Sequence, residues 1–140
     1  ISDVKEYVRF FLTKNEFSNV FFAQISLMIQ VLHNPRCGKS REVIALLEAT
    51  GKPFEIIKYL EHPLTVDDLK ELILKLGIAP IELIRQKEAI WMDNFKGKVL
   101  SDLEIIEAIT IHPILMERPI IINGKKAVIG RPSENIKKIV

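Results

Sequence analysis

The order of apolar patterns after residue 27 sets the tightest limit on how this chain can fold. Residues 28–32 form an apolar run of strand length that breaks on Asn34-Pro35. Directly after it, Val43, Ile44, Leu46 and Leu47 recur at helical spacing over 40–50, and Gly51 ends the pattern. Residues 54–59, behind Pro53, read as a second strand. A strand, a helix and a strand in such short order call for a right-handed crossover within an α/β sheet.

Helices follow. Thr65 is placed to cap a helix whose third position is Asp68, a partial capping box, and whose stripe is Leu69, Leu72, Ile73 and Leu76 up to Gly77. Pro80 opens a shorter helix through Arg85. Ser101 caps another, with Leu103, Ile106, Ala108 and Ile109 inside and Pro113 beyond its end. Residues 119–122 and 127–129 flank Asn123-Gly124, which predicts a hairpin closed by a type I′ turn. Ser133 is placed to cap a last helix ending near Ile139. The whole order is strand, helix, strand, then helices, then strand, strand, helix.

Composition narrows the class. With 48% hydrophobic and 27% charged residues in 140, the chain has enough apolar material for a core without disulfide staples. A net charge of +2 is too small to mark a nucleic-acid surface. One cysteine excludes an internal disulfide and a Cys-rich structural zinc site, and it suits a reducing, cytoplasmic setting.

Residues 1–27 have a different character. They hold Phe10, Phe11, Phe17, Phe21 and Phe22, yet no Gly and no Pro. The apolar run over 20–32 contains Gln24, Ser26 and Gln30, and a spanning helix needs ~20 mostly apolar residues, so no membrane anchor is expected. No secretory leader pattern is present in it either. Val4, Val8, Phe11 and Leu12 have the spacing of an amphipathic helix. The chain therefore reads as an extension over 1–27, upstream of a natural start at Met28, and a functional domain over 28–140.

The segment His33-Asn34-Pro35-Arg36-Cys37-Gly38-Lys39-Ser40-Arg41 joins the first strand to the first helix, a common place for a site in an α/β sheet. A thiol there faces unpaired backbone N–H groups and the positive end of the helix, with Arg36, Lys39 and Arg41 nearby. All of these favour thiolate over thiol, and the same N–H groups can cradle an oxyanion.

Sharper motifs fail on spacing. A phosphate-binding P-loop would need Gly where His33 stands. A tyrosine-phosphatase loop would need Arg where Val43 stands, and Ser40 occupies the second position of a Cys-x-x-Cys pair. His33 and Cys37 lack a third metal ligand, and His62 and His112 each precede Pro as turn residues.

Arginine is scarce, six against fourteen lysines, and its placement is informative. Arg118 and Arg131 bracket the expected hairpin, so they can lie at one end of the sheet, and Arg85 sits in Ile84-Arg85-Gln86-Lys87. Guanidinium forks match tetrahedral oxyanions with paired hydrogen bonds. Surface salt bridges, such as Arg118 with Glu117 or Glu134, are the plainer alternative.

These segments, with Tyr59-Leu60, Leu83-Ile84-Arg85-Gln86-Lys87-Glu88, the run from His112 to Ile120 and Ile129-Gly130-Arg131-Pro132-Ser133-Glu134, stand in an order that resembles the glutaredoxin-dependent arsenate reductases. The resemblance covers 28–140. It implies a thioredoxin-like α/β fold: a four-stranded mixed sheet with flanking helices, a helical insertion and a cis bond at Arg118-Pro119. It also implies that Cys37 is the nucleophile, that Arg85, Arg118 and Arg131 hold the arsenic oxyanion, and that His33 and Ser40 help the thiolate form. Arsenate would be the substrate, glutathione the co-substrate and glutaredoxin the protein partner, with no bound cofactor, metal or nucleic acid.

One thiol cannot complete a two-electron reduction, so a reductase of this kind needs a second thiol from outside. Two other readings remain open on the sequence. One is a related thiol oxidoreductase with another substrate; the other is a redox-linked regulatory protein. A monothiol iron–sulfur carrier is disfavoured by the arginine set.

Overall fold

The computed structural model describes residues 28–140, and the expected extension and amphipathic helix over 1–27 lie outside the described residues. Four strands form one sheet: β1 (Ile29–Leu32), β2 (Phe54–Ile57), β3 (Ile120–Asn123) and β4 (Lys126–Ile129). Their spatial order is β2-β1-β3-β4. β1 pairs with β2 in parallel, Val31 opposite Ile56, while β1–β3 and β3–β4 are antiparallel. This is the mixed sheet of the thioredoxin-like fold.

Both faces of the sheet are covered, and the two-residue period of each strand divides its side chains between two cores. Ile29 and Val31 of β1, Phe54 and Ile56 of β2 and Ile121 of β3 pack with Val43 and Leu47 of α1 (Gly38–Thr50) and with Ile136. Leu32, Ile57 and Ile120 face the other way, against α2 (Val66–Leu76) and α4 (Asp102–Ile111). Each Leu or Ile buried in this way contributes about 1.5–3 kcal/mol. The two cores therefore clamp β1, and with it the segment that leaves its C-terminal end.

The insertion is built as its sequence directs. Thr65 and Ser101 both close full capping boxes, with Asp68 and Glu104 returning the bond to the cap N–H. A 3₁₀ turn at Pro80–Leu83 follows α2, and a second at Pro113–Leu115 follows α4.

The helix expected from Pro80 through Arg85 is the 3₁₀ turn Pro80–Leu83, after which Ile84 is extended, and four further features differ from the sequence expectation. First, α3 (Ala89–Asn94) is an extra six-residue helix, anchored by Trp91, whose ring stacks on Phe95 at 5.3 Å. Second, within α4 the buried set is Ile105, Ile106, Ala108 and Ile109, and Leu103 is exposed. Third, the hairpin pairs Asn123 with Lys126, so the turn residues are Gly124-Lys125. Only Gly124 has positive φ, at 63°, which is the type II′ pattern and not type I′. Fourth, the last element is a 3₁₀ helix, Ser133–Lys138, with Pro132 at its N-cap. Ser133 is the first residue inside this helix and not its cap, and its hydroxyl donates to Glu42 Oε1 of α1 at 2.6 Å.

Candidate active site

Cys37 is the N-cap of α1, extended at φ −92°, ψ 121°, so its side chain stands over the first turn of the helix. The preceding loop is locked locally. Asn34 Oδ1 accepts the Arg36 N–H at 3.0 Å, and the Asn34 carbonyl accepts the Cys37 N–H at 3.0 Å. Asx turns of this kind hold short loops in one conformation. The loop's upper end is pinned by the His33 N–H, donated to the Ile57 carbonyl of β2 at 2.8 Å.

Two opposed effects act on the Cys37 thiol. Burial pushes its pKa up, because the thiolate loses water. The Ser40 N–H, the Ser40 hydroxyl, the Lys39 N–H and the Arg131 charge pull it down, and together they win. The net shift is below the ordinary cysteine value, which is the condition for a nucleophile near neutral pH. Ser40 is fully buried, and its Oγ also accepts the Asn34 N–H at 3.5 Å.

Arg131 is the guanidinium at the sulfur. Its Nη2 donates to Cys37 Sγ at 3.3 Å, and its Nε donates to the Arg118 carbonyl at 2.7 Å. Gly130 makes this approach feasible. A Cβ there would lie 2.9 Å from Ile121 Cδ1, 2.9 Å from Pro119 Cγ and 3.0 Å from Val43 Cγ2. The Gly130 N–H also donates to the Pro119 carbonyl at 2.8 Å. The Arg118-Pro119 bond is cis, as the resemblance implies, and the Arg131-Pro132 bond is cis as well.

Arg118 is mostly buried, and its Nε and Nη1 have no hydrogen-bond partner. Its ion pair is with Glu88 at 3.9 Å, a residue from the insertion, in place of the Glu117 or Glu134 suggested by proximity in sequence. Arg85 joins the same carboxylate through Nη1. A short backbone ladder brings the two segments together: Arg85 N–H to Leu115 carbonyl at 2.7 Å, Glu117 N–H to Leu83 carbonyl at 2.8 Å, with Ile84 opposite Met116.

Ser40 and Arg131 thus lie at the sulfur, Arg118 is tied to Arg131 through its carbonyl, and Arg85 is tied to Arg118 through Glu88. His33 is placed differently. It is buried, its pKa is lowered by burial and then by the Lys58 and Arg41 charges, and it is neutral at pH 7. Its Nδ1 is buried without a hydrogen-bond partner, while its backbone N–H holds the loop to Ile57.

Two carboxylates at the site carried no separate signal in the sequence. Glu88 lay inside the Arg85 segment with no role attached. Glu117 is raised by burial, against the pull of the Arg85 and Arg131 charges. No cluster of potential metal ligands occurs among the described residues. No helix among them is long and apolar enough to cross a membrane.

A sequence model of the ArsC family matches residues 32–139. The chain belongs to the ArsC family. Among curated relatives, a protein of Neisseria meningitidis serogroup A named arsenate reductase is 39% identical over 114 residues, covering 80% of this chain and 97% of its own. YfgD of Escherichia coli K12, whose name states no activity, is 42% identical over 114 residues, covering 80% and 96%. Among solved structures, an arsenate reductase from Vibrio cholerae superposes with a TM-score of 0.78 at 39% identity, over 81% of this chain and 98% of its own. The resemblance read from the motifs is therefore borne out at the level of family and fold.

Proposed function

We propose that this ArsC-family chain is an arsenate reductase that works through a Cys37 thioarsenate, with glutathione and glutaredoxin as the electron donors. The observation that supports it most is the Cys37 sulfur, held at a helix N-terminus with Arg131 Nη2 3.3 Å away. In this reading the thiolate forms a bond to arsenic and one arsenate oxygen leaves, protonated, as water. Arsenic is still at +5 in the adduct. Arg85, Arg118, Arg131 and the N–H groups of the first turn of α1 offset the negative charge.

The electrons come next. One external glutathione thiol attacks the adduct, and two thiol sulfurs end as a disulfide while arsenic accepts two electrons and falls to +3. Cys37 is the only cysteine in the chain, so the second sulfur is supplied from outside. Glutaredoxin then returns the mixed disulfide to thiols, and arsenite departs.

The test is a purified-protein assay with arsenate, glutathione, glutaredoxin and NADPH-coupled detection, with Cys37→Ser as control. Turnover lost in Cys37→Ser is the expected result. Absence of turnover in the wild type, or equal turnover in the variant, would overturn the proposal.

A further inference from the structure

Beyond the three arginines, one more hydrogen-bond donor at this end of the sheet has no use in the folded protein. Tyr59 follows the C-terminal end of β2 by two residues, and β2 runs parallel to β1, so Tyr59 emerges on the same sheet edge as the Cys37 loop. It is 1% exposed, and its hydroxyl has no hydrogen-bond partner. The Asn34 side chain is a polar neighbour but faces it too loosely for a well-formed bond. A buried hydroxyl without a partner costs ~1–3 kcal/mol, so its retention in a fully packed core calls for an explanation.

The charges around it supply one. Arg85, Cys37 and Glu88 all lie within electrostatic reach of the phenol. Burial drives its ionisation well above the ordinary tyrosine value, so the group stays an O–H donor across the working pH range and cannot serve as a base. Arg118 Nε and Nη1 are likewise buried and without hydrogen-bond partners. Tyr59 and Arg118 thus carry donors with no partner in the folded protein, and a tetrahedral oxyanion has the acceptors to fill them.

We propose that Tyr59 is a further substrate-binding residue, donating its hydroxyl to one oxygen of the tetrahedral oxyanion held over Cys37. The proposal rests on the reading of Cys37 and its arginines as an oxyanion site. Tyr59 contributes a neutral donor where a fourth cation would overcharge the site, and it holds the anion from the β2 side while the arginines hold it from the hairpin and the insertion.

The experiment compares wild type with Tyr59→Phe, which deletes one oxygen and keeps the ring in the core. Cys37 is alkylated with iodoacetamide under rising arsenate, with sulfate as a second oxyanion. The quantity read is the ratio of rates with and without anion, which gives the binding constant. Arsenate and sulfate are expected to protect the wild type, and the phenylalanine variant should bind them roughly tenfold more weakly, the loss for one hydrogen bond to a charged group. Its melting temperature should be equal or slightly higher, since an unpartnered hydroxyl has gone.

Protection within twofold of wild type in a folded Tyr59→Phe overturns the role of Tyr59 and leaves the oxyanion reading standing. No protection of the wild type by either anion overturns the oxyanion reading itself. Should the phenylalanine variant fail to fold, Tyr59→Met, of similar bulk and also without a hydroxyl, answers the same question.

Discussion

Removing the Arg131 charge should raise the pKa of Cys37, because a contact worth roughly 1–2 kcal/mol to the thiolate is lost. Two routes give the size. A hydrogen bond to a charged group is worth ~1.5–3 kcal/mol, and Arg131 is exposed, so screening by water selects the lower end. Independently, opposite unit charges separated by the 3.3 Å between Nη2 and Sγ attract by about 1.3 kcal/mol in a water-like dielectric. The two routes agree on roughly 1–2 kcal/mol. The sign follows because Arg131 favours the thiolate: without it the thiol holds its proton to higher pH. The assay is the pH dependence of Cys37 alkylation in Arg131→Ala, whose midpoint should move upward. Arg131→Lys keeps the charge but loses the fork that also holds the Arg118 carbonyl, so its midpoint should fall between the two. An unmoved midpoint in Arg131→Ala, or one displaced downward, would refute the assignment of Arg131 to the thiolate.

Two further outcomes follow from contacts near the site. Gly130→Ala should destabilise the fold by about 1–3 kcal/mol, because the new methyl meets Ile121, Pro119 and Val43 at 3.0 Å or less. Chemical denaturation measures this, and unchanged stability would contradict the close packing of Ile121, Pro119 and Val43 around Gly130. Glu117 has a folded-state pKa above its unfolded value, so its contribution to stability is greatest at low pH and is lost as pH rises through the folded value. Glu117→Gln should therefore gain stability relative to wild type between about pH 4 and pH 7, read as the difference in unfolding free energy at the two ends. A difference that is flat or of opposite sign would contradict the burial of that carboxyl.

Much of the fold was legible because it is written in local periods. The strand at 28–32 and the helix behind it obey spacings that do not depend on the rest of the chain, and Thr65 and Ser101 sit three residues before the carboxylates that complete their caps. Cys37 was legible for the same reason, since the strand-to-helix junction alone supplies its N–H groups. Arg118 and Arg131 could be placed together once the hairpin was recognised, because antiparallel strands return the chain to the same end. The turn itself was misplaced by one residue. Asn-Gly marks a tight turn, but the pairing of Ile121 with Val128 and of β3 with β1 sets the register, and that register makes Asn123 a strand residue.

What stayed illegible depends on distant segments meeting. Nothing within Arg85-Gln86-Lys87-Glu88 shows that its carboxylate also reaches Arg118, thirty residues on; the ladder between Ile84 and Met116 arranges that. The Ser133 hydroxyl bonds the Glu42 carboxylate of α1, ninety-one residues away in sequence, and no local pattern shows that partner. The meeting of distant segments also explains why Glu88 matters to the charge of the site. Arg85 and Arg118 converge from separate segments, and two half-buried like charges repel more strongly than they would in open water. A carboxylate between them lets both be held without an anion present. It leaves Arg118 Nε and Nη1 free of hydrogen bonds, because its reach to Arg118 is a 3.9 Å ion pair rather than a bond. Glu88 therefore lowers the cost of assembling the cations while leaving donors for a ligand, an arrangement that follows from the tertiary structure and from no single motif.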